Sequence, residues 1–458
     1  MIKILETFDK SEKYAEGLIA KTDSFFGDNS PLRRLDNFAG GRQYEERPQQ
    51  KEMAVKVAEV FDKGEDLCVE APTGVGKTFA YLVPAIHTAL DTGLPVVVST
   101  HTISLQEQIV NKDLPVIHSL LDVNFDFAIA KGRTNYLCLR RLKAAVEQSD
   151  QFLPSDDMVP EIVKLRDWAK TTVDGSLHSL DFSPDPKVWE AVCCEAGNCR
   201  MNKCQYFESC FYAKARRRLL KSQIIVANHA LFFSDLAMKI DEEDDNVGIL
   251  PRYAAVVLDE AHLVEDTAAT HLGLRMTNYG LSRILNRLYN REKNRGLLLD
   301  DECSELRKQV LKAQETANRF FDGLRNWLQQ EAENPMRYDE PGLVVDNLSP
   351  MLYELQSGLN KLSSEENDED RQQELSSLSD RLGAFADSAR AVLDMALEEH
   401  VYWIELFGSR QKGVCLNAVP VEVSDLLRGA LFDRGFSVVM TSATLTVNNR
   451  MDYYKQRI

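Results

Sequence analysis

Three segments of this 458-residue chain carry residues with recognisable chemistry. Ala71-Pro72-Thr73-Gly74-Val75-Gly76-Lys77-Thr78 has the spacing of a phosphate-binding loop, departing from G-x-x-x-x-G-K-[ST] only by Ala71 at the first glycine. Gly74 and Gly76 lack the Cβ that would stop backbone N–H groups from turning toward phosphate oxygens. Lys77 has the reach and charge for β- and γ-phosphates, and the Thr78 hydroxyl can ligate Mg²⁺. A helix opening at this point adds a favourable dipole for anions. Val256-Val-Leu-Asp-Glu-Ala-His262 ends an apolar run with two carboxylates. Asp259 there would hold Mg²⁺, and Glu260 would orient and deprotonate an attacking water. Two adjacent acids alone are as easily a decorated helix N-terminus. Beside the loop they indicate nucleotide hydrolysis, with Lys77, Asp259 and Glu260 as its catalytic residues.

The third segment holds thiols. Cys199-x4-Cys204-x5-Cys210 follows Cys138 by about sixty residues. Four thiolates satisfy an iron–sulfur cluster, and zinc sites made of four cysteines are the competitor. Zinc sites usually contain a tight C-x2-C pair, which this chain lacks. Either Cys193 or Cys194 has the chemistry to replace Cys199, and the pair is read as spare. Cys68, Cys303 and Cys415 stand alone and read as small buried hydrophobes. The N-terminus turns polar too soon for a signal sequence, and no run approaches about 20 apolar residues. A cytoplasmic protein without disulfides or a membrane partner is expected.

A net charge of −17 argues against a protein that coats nucleic acid indiscriminately. The charge is uneven, however. Asp241–Asp245 and Glu365–Asp370 are acidic and read as solvated loops. Lys131 to Lys143 holds five basic residues and no acid, and Arg200 to Lys221 holds seven against Glu208. Each alone would be a solvated helix face. Their shared place around the cysteines suggests a phosphate-binding surface, with Lys131, Arg133, Arg140, Arg141 and Arg216–Arg218 as contacts. Tyr136, Tyr206, Phe207, Phe211 and Tyr212 lie among them, where core packing competes with base stacking.

Elements that would position these groups are legible as short apolar runs alternating with helical stretches. The runs are Leu67–Glu70, Pro95–Ser99, Phe125–Ala130, Gln223–Ala227, Ala254–Leu258 and Ser437–Met440. Continuous rather than alternating apolarity predicts strands buried on both faces, hence a parallel sheet in an α/β fold. Two inserts interrupt it. The second shows helical stripes at Leu281/Ile284/Leu285/Leu288, Leu352/Leu355/Leu359/Leu362 and Leu375/Leu378/Leu382/Phe385, predicting about four helices whose stripes are core.

On these motifs the chain resembles the superfamily 2 iron–sulfur helicases of the XPD/DinG family. The resemblance runs from about Tyr44 to Leu445, nearly the whole chain. Tyr44–Gln50 is similar to the motif preceding the phosphate loop, which would place Arg47 and Gln50 at the nucleotide base. Glu70–Thr78 resembles the family's loop, including Ala71. Ser99–Gln108 looks like its DNA-backbone motif, Lys131–Cys138 and Ala227–Leu231 like the flanks of its metal domain. Asp259–His262 is its DEAH box, with His262 beside the nucleotide, and Thr441–Thr444 resembles motif III.

The resemblance implies a RecA-like motor domain 1 over 1–132, 219–264 and 400–458. It also implies an iron–sulfur domain over 133–218 and a helical arch over 265–399. A [4Fe–4S] cluster would sit on Cys138, Cys199, Cys204 and Cys210 as a structural staple for a DNA-separating wedge. Further implications are Mg²⁺ on Thr78 and Asp259, ATP as substrate, single-stranded or forked DNA as partner, and 5′→3′ unwinding. The chain stops shortly after motif III with no second α/β unit. The expectation is therefore poor ATP hydrolysis and no unwinding by this chain alone, as for a truncated gene, a fragment or an engineered piece. A different class, a non-enzymatic nucleic-acid-binding module regulated by metal or nucleotide, is the alternative.

Overall fold

The computed structural model describes residues 3–8, 17–28, 30–37, 45–153, 155–241, 248–331, 334–408, 412–446 and 450–458. Tyr44 of the motif before the phosphate loop and residues 242–245 of the first acidic run lie outside them. The strands are β1 (Lys3–Phe8), β2 (Asp66–Glu70), β3 (Val96–Thr100), β4 (Phe127–Ile129), β5 (Ile224–Asn228), β6 (Ala255–Asp259), β7 (Leu274–Thr277), β8 (Met336–Arg337), β9 (His400–Phe407), β10 (Gly413–Pro420) and β11 (Ser437–Ser442). The chain folds as two compact units. One comprises residues 1–131, 216–272 and 422–458, the other 132–215 and 273–421.

The first unit is built on a seven-stranded sheet in the order β1-β2-β11-β6-β3-β5-β4. Every pairing from β2 to β4 is parallel, and β1 joins antiparallel to β2. This is the α/β fold with a parallel sheet that the apolar runs predict. Val96, Val97, Val98, Val256, Val257, Val438 and Val439 are wholly buried. β-Branched side chains suit a pleated surface covered on both faces. Helices Pro48–Lys63 and Lys77–Thr92 supply much of that cover and share its core. Parallel strands end at one edge, so Glu70, Thr100, Asn228, Asp259 and Ser442 are brought there together. Ser442 pairs with Glu70, Thr441 with Asp259, and Thr100 with Asn228. The carboxyl edge of such a sheet is where ligands bind.

In the second unit, helices Asn278–Leu288, Ser304–Glu331, Ser349–Glu365 and Glu369–Leu393 share one apolar core. Leu281, Leu285, Leu352, Leu355, Leu375, Leu378 and Leu382 lie within it. Thr277 caps the first of these helices by accepting from Gly280 N, and Asp368 caps the last by accepting from Asp370 N and Arg371 N. A four-stranded antiparallel sheet, β7-β10-β9-β8, completes the core. This departs from the sequence reading, which placed residues 400–421 in the motor and found no strand between 265 and 399. Burial in β9 alternates at Tyr402, Ile404 and Leu406, so its inner face needs this sheet rather than a doubly covered one. Residues 132–215 pack around Leu137, Leu142, Leu165, Val188, Trp189 and Val192 within the same unit. Tyr136, Phe211 and Tyr212 are buried there too, as core rather than as stacking platforms.

Candidate nucleotide site and thiol cluster

β2 delivers the chain to Ala71, whose N–H donates to Ser442 O at the end of β11 (2.9 Å). The loop then turns through two left-handed glycines, Gly74 (φ 87°) and Gly76 (φ 90°), before the helix starts at Lys77. A Cβ at Gly76 would lie 2.2 Å from Gln50 Nε2, whereas one at Gly74 would meet nothing within 4 Å. Gly76 is therefore required by conformation and by space. Gln50 Nε2 donates to Gly76 O (2.8 Å) and Arg47 Nη1 to Gly74 O (2.7 Å). Both side chains thus tether the loop backbone at the two residues whose φ is positive. Lys77 Nζ donates to Ala71 O (3.1 Å), so its ammonium is held across the loop. Pro72, Thr73 and Gly74 at the tip are exposed.

Asp259 ends β6 almost fully buried. Its Oδ2 accepts from the Tyr81 hydroxyl (3.1 Å), and its Oδ1 accepts from Glu260 N (3.0 Å). Thr78 lies one turn earlier on the same helix and interacts with Tyr81. Burial, reinforced by the neighbouring Glu260 charge, pushes Asp259 up to about 6, against the opposing pull of Lys77 and Tyr81. Burial and the Asp259 charge push the Tyr81 phenol well above its ordinary value. Glu260 sits at φ 55°, a left-handed conformation uncommon for a residue with a Cβ and costing on the order of 1–3 kcal/mol. His262 Nδ1 lies 2.8 Å from Ser442 Oγ, linking the acidic box to β11.

A second relay runs beneath the box. Ser99 Oγ lies 2.7 Å from His229 Nδ1, and His229 Nε2 lies 2.9 Å from Asp259 O. A carbonyl can only accept, so Nε2 carries the proton and Nδ1 accepts from Ser99. Burial lowers His229 to about 4 and keeps it neutral. Glu70 closes the edge by accepting from Leu445 N (2.7 Å) and Thr446 N (2.6 Å) after motif III. Sequence reading gave Tyr81, His229 and Glu70 no role. The available signal was a phenol three positions after Thr78 and polar residues at strand ends of a parallel sheet.

In the second unit, all five of Cys138, Cys194, Cys199, Cys204 and Cys210 fall in one neighbourhood. All nine cysteines of the chain are free thiols. Cys194 interacts with Cys199, Cys138 with Cys210 and Cys194, and Cys210 with Cys199 and Cys204. Cys193 points elsewhere, with its Sγ 3.7 Å from Glu190 O. The neighbouring Cys194, aided by Arg133 and Arg140, holds Cys199 below the ordinary thiol range despite burial. Burial raises Cys138 and Cys210. Among the described residues, no group of three or more His, Cys, Asp or Glu side chains is set closely enough to hold a metal ion. Of the isolated cysteines, Cys303 and Cys415 are buried, and Cys68 is half-buried with its thiol near Met451 Sδ.

The basic residues around the thiols divide by burial. Arg140 and Arg141 are 4% and 1% exposed, which corrects their reading as phosphate contacts. Arg140 Nη2 donates to Asn198 O and Oδ1 (2.8 and 2.6 Å), and Arg141 Nη1 donates to Cys193 O (2.6 Å). Both guanidiniums are committed to internal carboxylates as well. Arg133 lies over the Tyr212 ring, 5.1 Å from its centroid. Arg217 and Arg218, in the first unit, are exposed.

The family described as DEAD/DEAH box helicase matches residues 47–146. ATP-dependent DNA helicase YoaA of Escherichia coli is 27% identical over 450 residues, covering 95% of this chain and 65% of YoaA. ATP-dependent helicase DinG of Mycobacterium tuberculosis is 35% identical over 255 residues, covering 52% of this chain and 37% of DinG. Among solved structures, S. tokodaii Xpd4 matches with a TM-score of 0.41 at 14% identity, over 88% of this chain and 59% of that one. The chain thus spans 65% or less of the length of these curated relatives. Among the described residues, no helix is long and apolar enough to cross a membrane. The DEAD/DEAH-box match covers the phosphate loop, and the chain is similar along its length to DinG and YoaA helicases, in agreement with the site's layout.

Proposed function

We propose that the protein is an ATP-dependent DNA helicase of the DinG/YoaA type, working 5′→3′ on single-stranded or forked DNA in the cytoplasm. The observation that carries this reading is the Tyr81–Asp259 hydrogen bond, which joins the helix that begins with Lys77 to the acidic box through one buried phenol. Lys77 engages the β- and γ-phosphates, leaving its bond to Ala71 O. Thr78 and Asp259 hold Mg²⁺, for which a hydroxyl, a carboxylate and added phosphate oxygens are a suitable hard donor set. When bound, the ion neutralises phosphate charge and keeps Asp259 ionised. Glu260, aimed by its left-handed backbone, orients and deprotonates the attacking water. His262 and Ser442 carry the state of the box to motif III.

Cys138, Cys199, Cys204 and Cys210 are assigned to a [4Fe–4S] cluster. In support, these four thiols fall in one neighbourhood of the second unit, and four thiolates satisfy such a cluster. When bound, the cluster supplies a covalent staple between Cys138 and the segment 199–210. DNA phosphates are met by Lys131, Arg133 and Arg216–Arg218, with Arg140 and Arg141 withdrawn from that role. The organisation proposed is a RecA-like motor with an iron–sulfur insert and a helical arch.

The test is ATP turnover with and without single-stranded DNA, together with ATP binding by calorimetry. Lys77→Ala should abolish binding, and Glu260→Gln should keep binding while removing turnover. Turnover indifferent to Glu260→Gln would overturn the assignment. Nucleotide binding and DNA binding with no turnover at all would favour the regulated binding module instead.

A further inference from the structure

One face of helix Glu369–Leu393 is spent on the segment that leads into Cys199. Its Leu375, Leu378 and Leu382 turn into the helical core. A neighbouring polar stripe at Asp370, Glu374, Ser377 and Arg381, spaced three and four apart, faces residues 195–200 instead. Gln373 Nε2 donates to Gly197 O (2.5 Å), Ser377 Oγ to Ala196 O (3.5 Å), and Arg381 pairs with Glu195. Asp370 pairs with Arg200 (3.1 Å) and Arg140 (3.4 Å), and Glu369 pairs with Arg200.

At the centre is Glu374, a carboxylate with no exposure at all. Its Oε1 accepts from Asn198 Nδ2 (2.5 Å) and lies 3.3 Å from Arg141 Nε as an ion pair, while Oε2 pairs with Arg287. Asn198 immediately precedes Cys199, and Arg141 lies three residues after Cys138, on the helix that Cys138 opens. Arg140 closes the circuit by donating to Asn198. Burial pushes Glu374 upward, but Arg287 and Arg141 more than offset it, so the group stays ionised.

We propose that Glu374 is the positioning residue of the thiol site, fixing the Cys138 and Cys199 backbones relative to each other from a helix far along the chain. It touches no candidate ligand atom. It acts through Arg141 on one side and Asn198 on the other, as outer partners orient ligands in metal sites. The inference rests on the iron–sulfur assignment to these cysteines.

The experiment compares wild type, Glu374→Gln and Ser379→Ala, purified anaerobically. Ser379 is buried on the same helix and donates to Gln356 O (3.2 Å) and Asn360 Oδ1 (2.6 Å), away from the thiols, so Ser379→Ala controls for lost helix stability. Read-outs are iron and acid-labile sulfide per chain, the rate at which a chelator bleaches the visible absorption, and ATP affinity. For Glu374→Gln, iron should fall below half of the about four atoms per chain of a cubane, and bleaching should quicken about tenfold. Ser379→Ala should match wild type in both, and ATP affinity should be unchanged in all three. If Glu374→Gln is insoluble, Gln373→Ala removes only an exposed bond to Gly197 O and should bleach about twofold faster. Full iron and wild-type bleaching in either Glu374→Gln or Gln373→Ala would overturn the proposal. Wild-type protein without iron and sulfide would instead defeat the cluster assignment itself.

Discussion

The Tyr81 hydroxyl donates a 3.1 Å hydrogen bond to Asp259 Oδ2, from the helix that begins with Lys77 to the strand that ends with the acidic box. The phosphate loop and the carboxylate proposed to hold Mg²⁺ are therefore joined by one buried spacer rather than meeting only through nucleotide. Tyr81→Phe keeps the ring and deletes the bond. Mg²⁺ demand in ATP turnover should rise about tenfold, with maximal rate less affected. A magnesium titration of turnover checks this, and an unchanged midpoint would show the phenol to be filler.

Asp259 and His229 should give opposite pH dependences to folding stability. Asp259 is raised from 3.8 to about 6, so its contribution is complete below 3.8 and lost as pH climbs through 6. His229 is lowered from 6.5 to about 4, so its contribution is complete above 6.5 and lost as pH falls through 4. Each is worth up to about 3 kcal/mol, and between pH 4 and 6 the two slopes oppose each other. Relative to wild type without nucleotide, Asp259→Asn should gain stability as pH rises through that window, and His229→Gln should lose it. Denaturant melts at half-unit pH steps make the comparison. Parallel curves for the two variants would refute it.

Gly74 and Gly76 share a left-handed backbone but not a neighbourhood. Gly74→Ala adds a Cβ to open space and should cost about 1 kcal/mol of strain with modest loss of ATP affinity. Gly76→Ala drives its Cβ into Gln50, so ATP affinity should fall at least a further tenfold. Adding Gln50→Ala should recover part of that loss. Calorimetric titration of the three variants ranks them, and equal affinities would remove the steric argument.

Arginines of the two basic stretches should separate in a salt titration. Arg218→Ala removes an exposed charge and should lower the slope of log affinity against log salt by about 0.7 for single-stranded DNA. Arg141→Met should leave the slope alone and destabilise the second unit by about 3–5 kcal/mol, because Glu374 and Glu195 lose a buried partner. Fluorescence anisotropy at several salt concentrations and thermal melting read both. A slope change in Arg141→Met would return that residue to the DNA surface.

Legibility from sequence followed the range of the interactions. The parallel sheet was readable because runs such as Val96–Val98 and Val256–Leu258 are buried on both faces whatever their neighbours. The phosphate loop and acidic box were readable because their chemistry demands fixed local spacing. β9 was not, since His400–Phe407 sets Glu405 among aromatics and becomes a strand by pairing with β10 and β8. Arg140 and Arg141 looked like surface charge in a basic stretch. Their partners at 195, 198, 370 and 374 are remote in sequence, and burial through remote partners leaves no local trace. Tyr81 and His229 escaped for the same reason, each acting on Asp259 from another element.

Asn198 and Glu374 stand 176 positions apart. At ribosomal rates of about 5–20 residues per second, that separation is roughly ten to thirty-five seconds of synthesis. The thiol-bearing segment is therefore born well before the carboxylate that joins Asn198 to Arg141. The nascent chain must keep its cysteines reduced and unclaimed through that interval. The final anchoring of this segment is thus a late event in the making of the protein, timed by translation of a helix far along the chain.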